Sequence, residues 1–99
     1  MQSVDTTTEF ERLADSWKSQ VAFMSSLSAM AMIPEYQQII GMGKSAIPQI
    51  LRELERQPHY WFWALEAITR ENPVPQEDRG RLNETTSAWL KWGREHGYL

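Results

Sequence analysis

The side chains that could do chemistry are few in this chain. It has two histidines, His59 and His96, and no cysteine. Without thiols there can be no disulfide and no thiolate metal site. Neither histidine belongs to an HExxH or related metal-ligand spacing. His59 and Glu66 would share a helix face but stand two turns apart, too far for a direct acid–base pair. His96 falls in the last turn of a helical pattern, where an imidazole can stabilise the helix C-terminus. Ser25, Ser26 and Ser28 cluster without a GxSxG nucleophile elbow. Glu53 and Glu55 are two apart and cannot face each other on a helix. The run GMGKSAIP, from Gly41 to Pro48, holds the Lys-Ser pair of a phosphate loop, but its glycines are wrongly spaced and no strand pattern precedes it. The expectation is therefore a non-enzyme, with no catalytic residue, no cofactor and no metal.

What remains is the chemistry of recognition. Five tryptophans stand in 99 residues, and aromatic side chains bury about 150–250 Å² each. They concentrate in the run from His59 to Ile68, directly after Pro58. On a helical wheel Trp61, Ala64, Leu65 and Ile68 fall on one side. Trp63 falls on the other, near His59, Glu66 and Arg70. Two outcomes follow for Trp63: burial by neighbouring segments, or exposure on a contact surface, where tryptophan is enriched among binding hot spots. The candidate partner surface is His59, Tyr60, Trp63, Glu66 and Arg70, with the Arg52/Arg56 ridge beside it. For that ridge, a solvated helix face stands against contact with an acidic partner. A small-molecule pocket lined by Trp61, Trp89, Trp92 and His96 is a further possibility.

Length and composition bound the rest. Ninety-nine residues suffice for one domain with a modest core. A hydrophobic fraction of 41% and a charged fraction of 23% are those of a globular chain. The net charge of −3 argues against an electrostatic grip on nucleic acid. The longest weakly polar stretch, Val21 to Ile33, contains three serines and is too short to span a bilayer. The N-terminus has no basic region followed by an apolar run, so no signal peptide is read and a cytoplasmic location is expected.

These residues need helices to position them. Phe10, Leu13, Ala14, Trp17, Val21 and Met24 recur at helical spacing, after a tail expected to be disordered over residues 1–7. Thr6 with Glu9, or Thr8 with Glu11, has capping-box spacing. Ser25 to Ile33 reads as a partly helical connector, either a packed loop or a flexible partner-binding segment. Pro34 suits the first residue of a new helix, which Gly41 and Gly43 close. Ser45 is expected to cap the next helix, with Pro48 in its first turn and Ile47, Ile50, Leu51 and Leu54 on its apolar face. Gln49, Arg52 and Arg56 lie opposite. Pro58 is expected to start the aromatic helix. Pro73 and Pro75 lie in a loop, and a last helix begins near Arg81. Leu82, Thr86, Trp89, Leu90, Trp92 and Gly93 form its inner face. A glycine in that stripe costs about 1 kcal/mol against alanine and makes sense if another element comes close. No two-residue alternation or hairpin signal is present. The spacing predicts an all-α fold, a compact bundle of four to five helices in antiparallel pairs. Its core is Phe10, Leu13, Trp17, Ile47, Leu51, Leu54, Trp61, Leu65, Ile68, Trp89 and Trp92.

Two parts of the chain resemble known families. Ile39 to Leu54 is similar to the helix–Gly–helix start of a HEAT-like repeat. The run Trp63 to Thr69, followed by Pro73-Val74-Pro75 and Trp89 to Gly93, resembles the tail of such repeats. The chain departs from true arrays in having no clear internal repeat. Residues from Phe10 to Tyr98 also resemble a family of small bacterial proteins of unassigned function. Trp17-Lys18, Tyr36 to Gly43, Trp61 to Leu65 and Trp89 to Tyr98 carry that resemblance. It implies helical pairs that present a surface, and an antitoxin-like or phage-defence-associated adaptor. The expected function is a helical protein-interaction module, with a homodimer also possible. Nucleic-acid binding and a small-molecule pocket are the alternatives.

Overall fold

The apolar stripe from Phe10 to Val21 becomes helix α1, Thr6–Val21, in the computed structural model, which describes residues 6–99. Thr6 and Thr7 are helical; the rest of the expected tail lies outside the described residues. Thr8 sits inside the first turn and so cannot cap this helix. Five further helices follow: α2, Leu27–Ala31; α3, Pro34–Gly41; α4, Ile47–Arg56; α5, Phe62–Thr69; and α6, Leu82–Glu95. Short 3₁₀ helices span Gly43–Ala46 and Gln76–Asp78. No strand occurs among the described residues, and no helix there is long and apolar enough to cross a membrane. The all-α class is the expected one. The described residues form six α-helices because the serine connector contains one of its own, with the Ser26 hydroxyl accepting from the Ala29 N–H at its start.

Helix α3 packs on α1, α2 and α5, while α4 packs on α5 and α6. Helix α5 thus ties the first half of the chain to the second. Its start differs from the expected one. Pro58 disfavours a helical residue before it, and Gln57 is extended at φ −155°. The chain turns tightly, with the Trp61 N–H donating to the His59 carbonyl at 2.8 Å. Helix begins only at Phe62, so His59, Tyr60 and Trp61 precede it. Trp61, the N-cap residue, offers no side-chain bond. The cap comes from another helix: the Tyr36 hydroxyl accepts from the Ala64 N–H at 2.9 Å and donates to the Tyr60 carbonyl at 3.1 Å.

The core holds two aromatic clusters. Trp17 lies at the middle of the first, its ring 4.5 Å from Trp61, 5.1 Å from Tyr36 and 4.7 Å from His59. Its indole N–H donates to the Met30 carbonyl at 2.9 Å, which ties α1 to α2. In the second cluster Trp92 meets Trp89 edge-on at 5.4 Å and stacks on His96 and Tyr98. The His96 Nδ1 lies 2.8 Å from the Trp92 carbonyl, so the tautomer that donates from Nδ1 bonds the last turn of α6. Phe10, Leu13, Trp17, Ile47, Leu51, Leu54, Trp61, Leu65, Trp89 and Trp92 are all buried as expected. Ile68 is only half-buried, because it sits in the last turn of a helix that ends one residue later. Ser45 does not cap α4; it lies in the 3₁₀ turn and donates to the Met42 carbonyl. Pro73 and Pro75 lie in a loop as expected, and Val74 between them is buried.

Gly93 is where the chain needs the missing side chain. A Cβ there would stand 2.6 Å from Leu51 Cδ1 and 3.3 Å from Leu99 Cδ1. Leu51 is fully buried and cannot swing into solvent. Gly93→Ala gains about 1 kcal/mol of helix propensity, and overpacking costs about 1–3 kcal/mol. We expect a net loss of about 1 kcal/mol, read as a lower urea midpoint at unchanged slope. A rise in the midpoint would show that Leu51 yields freely.

Candidate functional site

Among the candidate binding residues the structure separates three places. The first is the edge of the core. His59 is not on the face of Trp63, since it lies outside α5. It is half-buried on the Trp17 ring, and its Nδ1 accepts from the Tyr60 N–H at 2.8 Å. Burial, and secondarily the nearby Lys18 cation, push its imidazole below the usual histidine range. This favours the neutral ring that can accept that bond. His59 therefore serves packing.

The second place is an ionic cluster between α1 and α4. Glu53 is buried. It accepts from Lys18 Nζ at 3.0 Å and from the Arg56 guanidinium. Burial alone would raise the Glu53 carboxyl, but the hydrogen bonds and charges of Arg56 and Lys18 outweigh it and hold the group below its ordinary value. Gln49, expected outside, is buried beside it. Arg52 and Arg56 line a concavity that also holds Glu11 and Asp15 of α1. The arginine ridge is thus offset by acidic neighbours and is no isolated basic patch.

A depressed carboxyl contributes stability that is present above its unfolded value of 4.5 and lost as pH falls through its lower folded value. Glu53→Gln is expected to lower stability by about 1–2 kcal/mol at neutral pH, since hydrogen bonds to charged groups count about 1.5–3 kcal/mol before solvent screening. The gap between wild type and variant should narrow in thermal melts as pH falls below 4.5. A gap that persists undiminished at pH 3 would refute the linkage.

The third place is an open concavity of about 500 Å³ between α2 and the start of α5. Leu27 and Ala31 come from α2; Tyr60, Phe62, Trp63 and Glu66 come from the aromatic segment, with Tyr36 at the floor. Trp63 is 46% exposed and Tyr60 38%. Of the two outcomes for Trp63, exposure is the one found. The physical reason is that α5 is short and packs through Ala64 and Leu65, so its opposite face, with Trp63, borders the open concavity. A smaller concavity of about 270 Å³ continues from Tyr60, Phe62 and Glu66 towards Arg79, Arg81 and Leu82. Arg70 lies outside both. It closes α5 in the left-handed conformation, φ 60°, and its N–H bonds the Glu66 carbonyl.

Leu27 and Phe62 belong to this surface and were not among the residues singled out. Leu27 is an isolated large apolar residue among serines, the one signal that could have marked it. The alternative set of Trp61, Trp89, Trp92 and His96 is not brought together. Trp61 stacks in the first aromatic cluster and Trp92 in the second. Trp92 lines another concavity, with Pro73, Pro75 and Ala88. Among the described residues no group of acidic and histidine side chains could hold a metal ion. Comparison of the chain with protein-family models, with curated proteins and with solved structures finds no match.

Proposed function

We propose that this chain is a non-catalytic protein-interaction module and that the concavity between α2 and α5 is its binding surface. The observation that carries this reading is the exposure of Trp63 and Tyr60 over an apolar hollow, while Trp17, Trp61 and Trp89 are completely buried. A tryptophan left half in water by a domain that buries its others is the kind of anchor that dominates interfaces. Glu66 and Asn72 provide the polar rim such surfaces carry. An antitoxin-like or defence-associated adaptor working in the cytoplasm is the narrower form of the proposal, supported by the resemblance of Trp17-Lys18, Tyr36 to Gly43 and Trp89 to Tyr98.

The test is capture of partners from the native host with tagged wild-type protein and Trp63→Ala, read by mass spectrometry. We expect Trp63→Ala to lose the partner while its stability stays within about 0.5 kcal/mol of wild type, as for surface substitutions. A variant that unfolds, or that keeps its partner, would remove Trp63 from the binding surface.

A further inference from the structure

The concavity between α2 and α5 has a charge character as well as an apolar one. Glu66 is the sole charged residue that lines it. Among the described residues its carboxylate makes no ion pair and no side-chain hydrogen bond. The rings of Tyr60, Phe62 and Trp63 share the same hollow, and aromatic faces carry negative potential. The Glu66 charge acts inward: after burial, it is a further cause that raises the Tyr36 hydroxyl well above its ordinary value. Tyr36 offers no free proton to an anion, because its O–H already donates to the Tyr60 carbonyl. The arginines of the adjoining hollow are engaged elsewhere. Arg79 Nε donates to the Val74 carbonyl, and Arg81 lies 3.9 Å from Asp78 and 3.8 Å from Glu84. The one charge and the aromatic rings of the larger hollow favour a cation.

The polar groups of the hollow decide which cation. A plain lysine ammonium is compact, strongly hydrated and carries three donors that must be satisfied. Where it meets the apolar wall of Leu27 and Ala31 and the aromatic rings, it gives up part of that hydration for a single carboxylate. A methylated ammonium keeps the charge, loses donors and gains apolar surface, and aromatic faces with a nearby carboxylate suit it. We propose that the hollow recognises the methylated ammonium of a lysine side chain on the partner protein. Trp63 and Tyr60 supply ring faces, Glu66 the counter-charge, and Leu27 and Ala31 the wall for the lysine stem. The assignment rests on the reading of this hollow as the partner-binding surface.

The experiment titrates the whole protein with acetyl-trimethyllysine amide, followed by amide chemical shifts. Two control ligands are its uncharged tert-butyl isostere, with carbon in place of nitrogen, and unmethylated acetyl-lysine amide. The trimethylated compound should shift residues of α2 and α5, and both controls should bind about tenfold more weakly. Glu66→Gln and Trp63→Ala should each weaken it several-fold at unchanged melting temperature. Equal binding of the neutral isostere, or no binding of any of the three, overturns the proposal. Binding to phosphatidylcholine vesicles without binding to the lysine compound overturns the assignment to a protein side chain. If Trp63→Ala loses its captured partner but no ammonium preference exists, the cation assignment falls and the interaction surface stands. If the preference exists but Trp63→Ala keeps its partner, the assignment to a partner lysine falls.

Discussion

Alanine at Trp17 is expected to abolish cooperative unfolding of this protein. The Trp17 ring is fully buried and touches Tyr36, His59 and Trp61, which come from α3 and from the turn before α5. Removing a buried tryptophan costs about 3–5 kcal/mol in lost burial and cavity. The Met30 carbonyl also loses the indole N–H and keeps only the longer bond from the Ile33 N–H at 3.4 Å, a further cost of about 1 kcal/mol. A domain of this size has about 5–15 kcal/mol in total. We expect Trp17→Ala to lose its sharp thermal transition and its near-ultraviolet circular dichroism while keeping part of its helical signal. A sharp transition within a few degrees of wild type would show that the first cluster repacks without its centre. Trp63→Ala removes the same side chain at the surface, and the contrast between the two variants measures what burial contributes.

The second large effect belongs to a single oxygen. Tyr36→Phe keeps the ring against Trp17 and Trp61 but removes the hydroxyl that joins α3 to the start of α5. The Ala64 N–H and the Tyr60 carbonyl both lose their partner. The Ala64 N–H, whose bond is buried, costs about 1–3 kcal/mol when left unpaired, and the Tyr60 carbonyl, on an exposed residue, adds less, so the loss should be about 2–3 kcal/mol. At about 4–8 °C per kcal/mol for a domain of this size, the melting temperature should fall by about 10–20 °C. The same residue sets an alkaline limit. Burial is the main cause that raises the Tyr36 hydroxyl above its ordinary value of 10, so its neutral form is the folded one. Its contribution is complete below that value and is lost as pH rises above it towards the higher folded value. Wild type should therefore lose stability above about pH 10 more steeply than Tyr36→Phe. Parallel alkaline profiles for the two proteins would show that the hydroxyl is not held in the neutral state by the fold.

Much of the helical framework was legible because its periodicity is strong. The stripe Ile47, Ile50, Leu51 and Leu54 identifies the buried face of α4 without any tertiary information, and all four residues are fully buried. Gly93 was legible for a different reason: glycine in an apolar helix stripe is costly unless something approaches, and Leu51 and Leu99 do. The aromatic segment was misread at its start. Helical periodicity runs through His59 and Tyr60 on paper, but the chain turns tightly there, with the Trp61 N–H on the His59 carbonyl, and the helix starts only at Phe62. That shift removed His59 from the surface set and placed Tyr60 at the mouth of the hollow.

The candidate site was half legible. Tyr60, Trp63 and Glu66 were marked from composition and wheel geometry. Leu27 comes from a five-residue helix that no periodicity argument could resolve, because so short a segment has barely one turn to display a face. Arg52 and Arg56 looked like a basic ridge because a wheel shows one helix at a time, whereas Glu11 and Asp15 that offset them belong to α1.

The sequence alone determined that this chain is all-helical, that its tryptophans dominate its core, and that Trp63 lies opposite Trp61 on the aromatic segment. Those are properties of local spacing, and local spacing is written in the order of residues. Tertiary structure alone decided that Trp63 stays in solvent, that a hydroxyl from α3 caps α5, and that Glu53 lies buried between Lys18 and Arg56. Each depends on which surfaces meet. Whether a helix face is covered is a property of its neighbours, and residues far apart in the chain supply them.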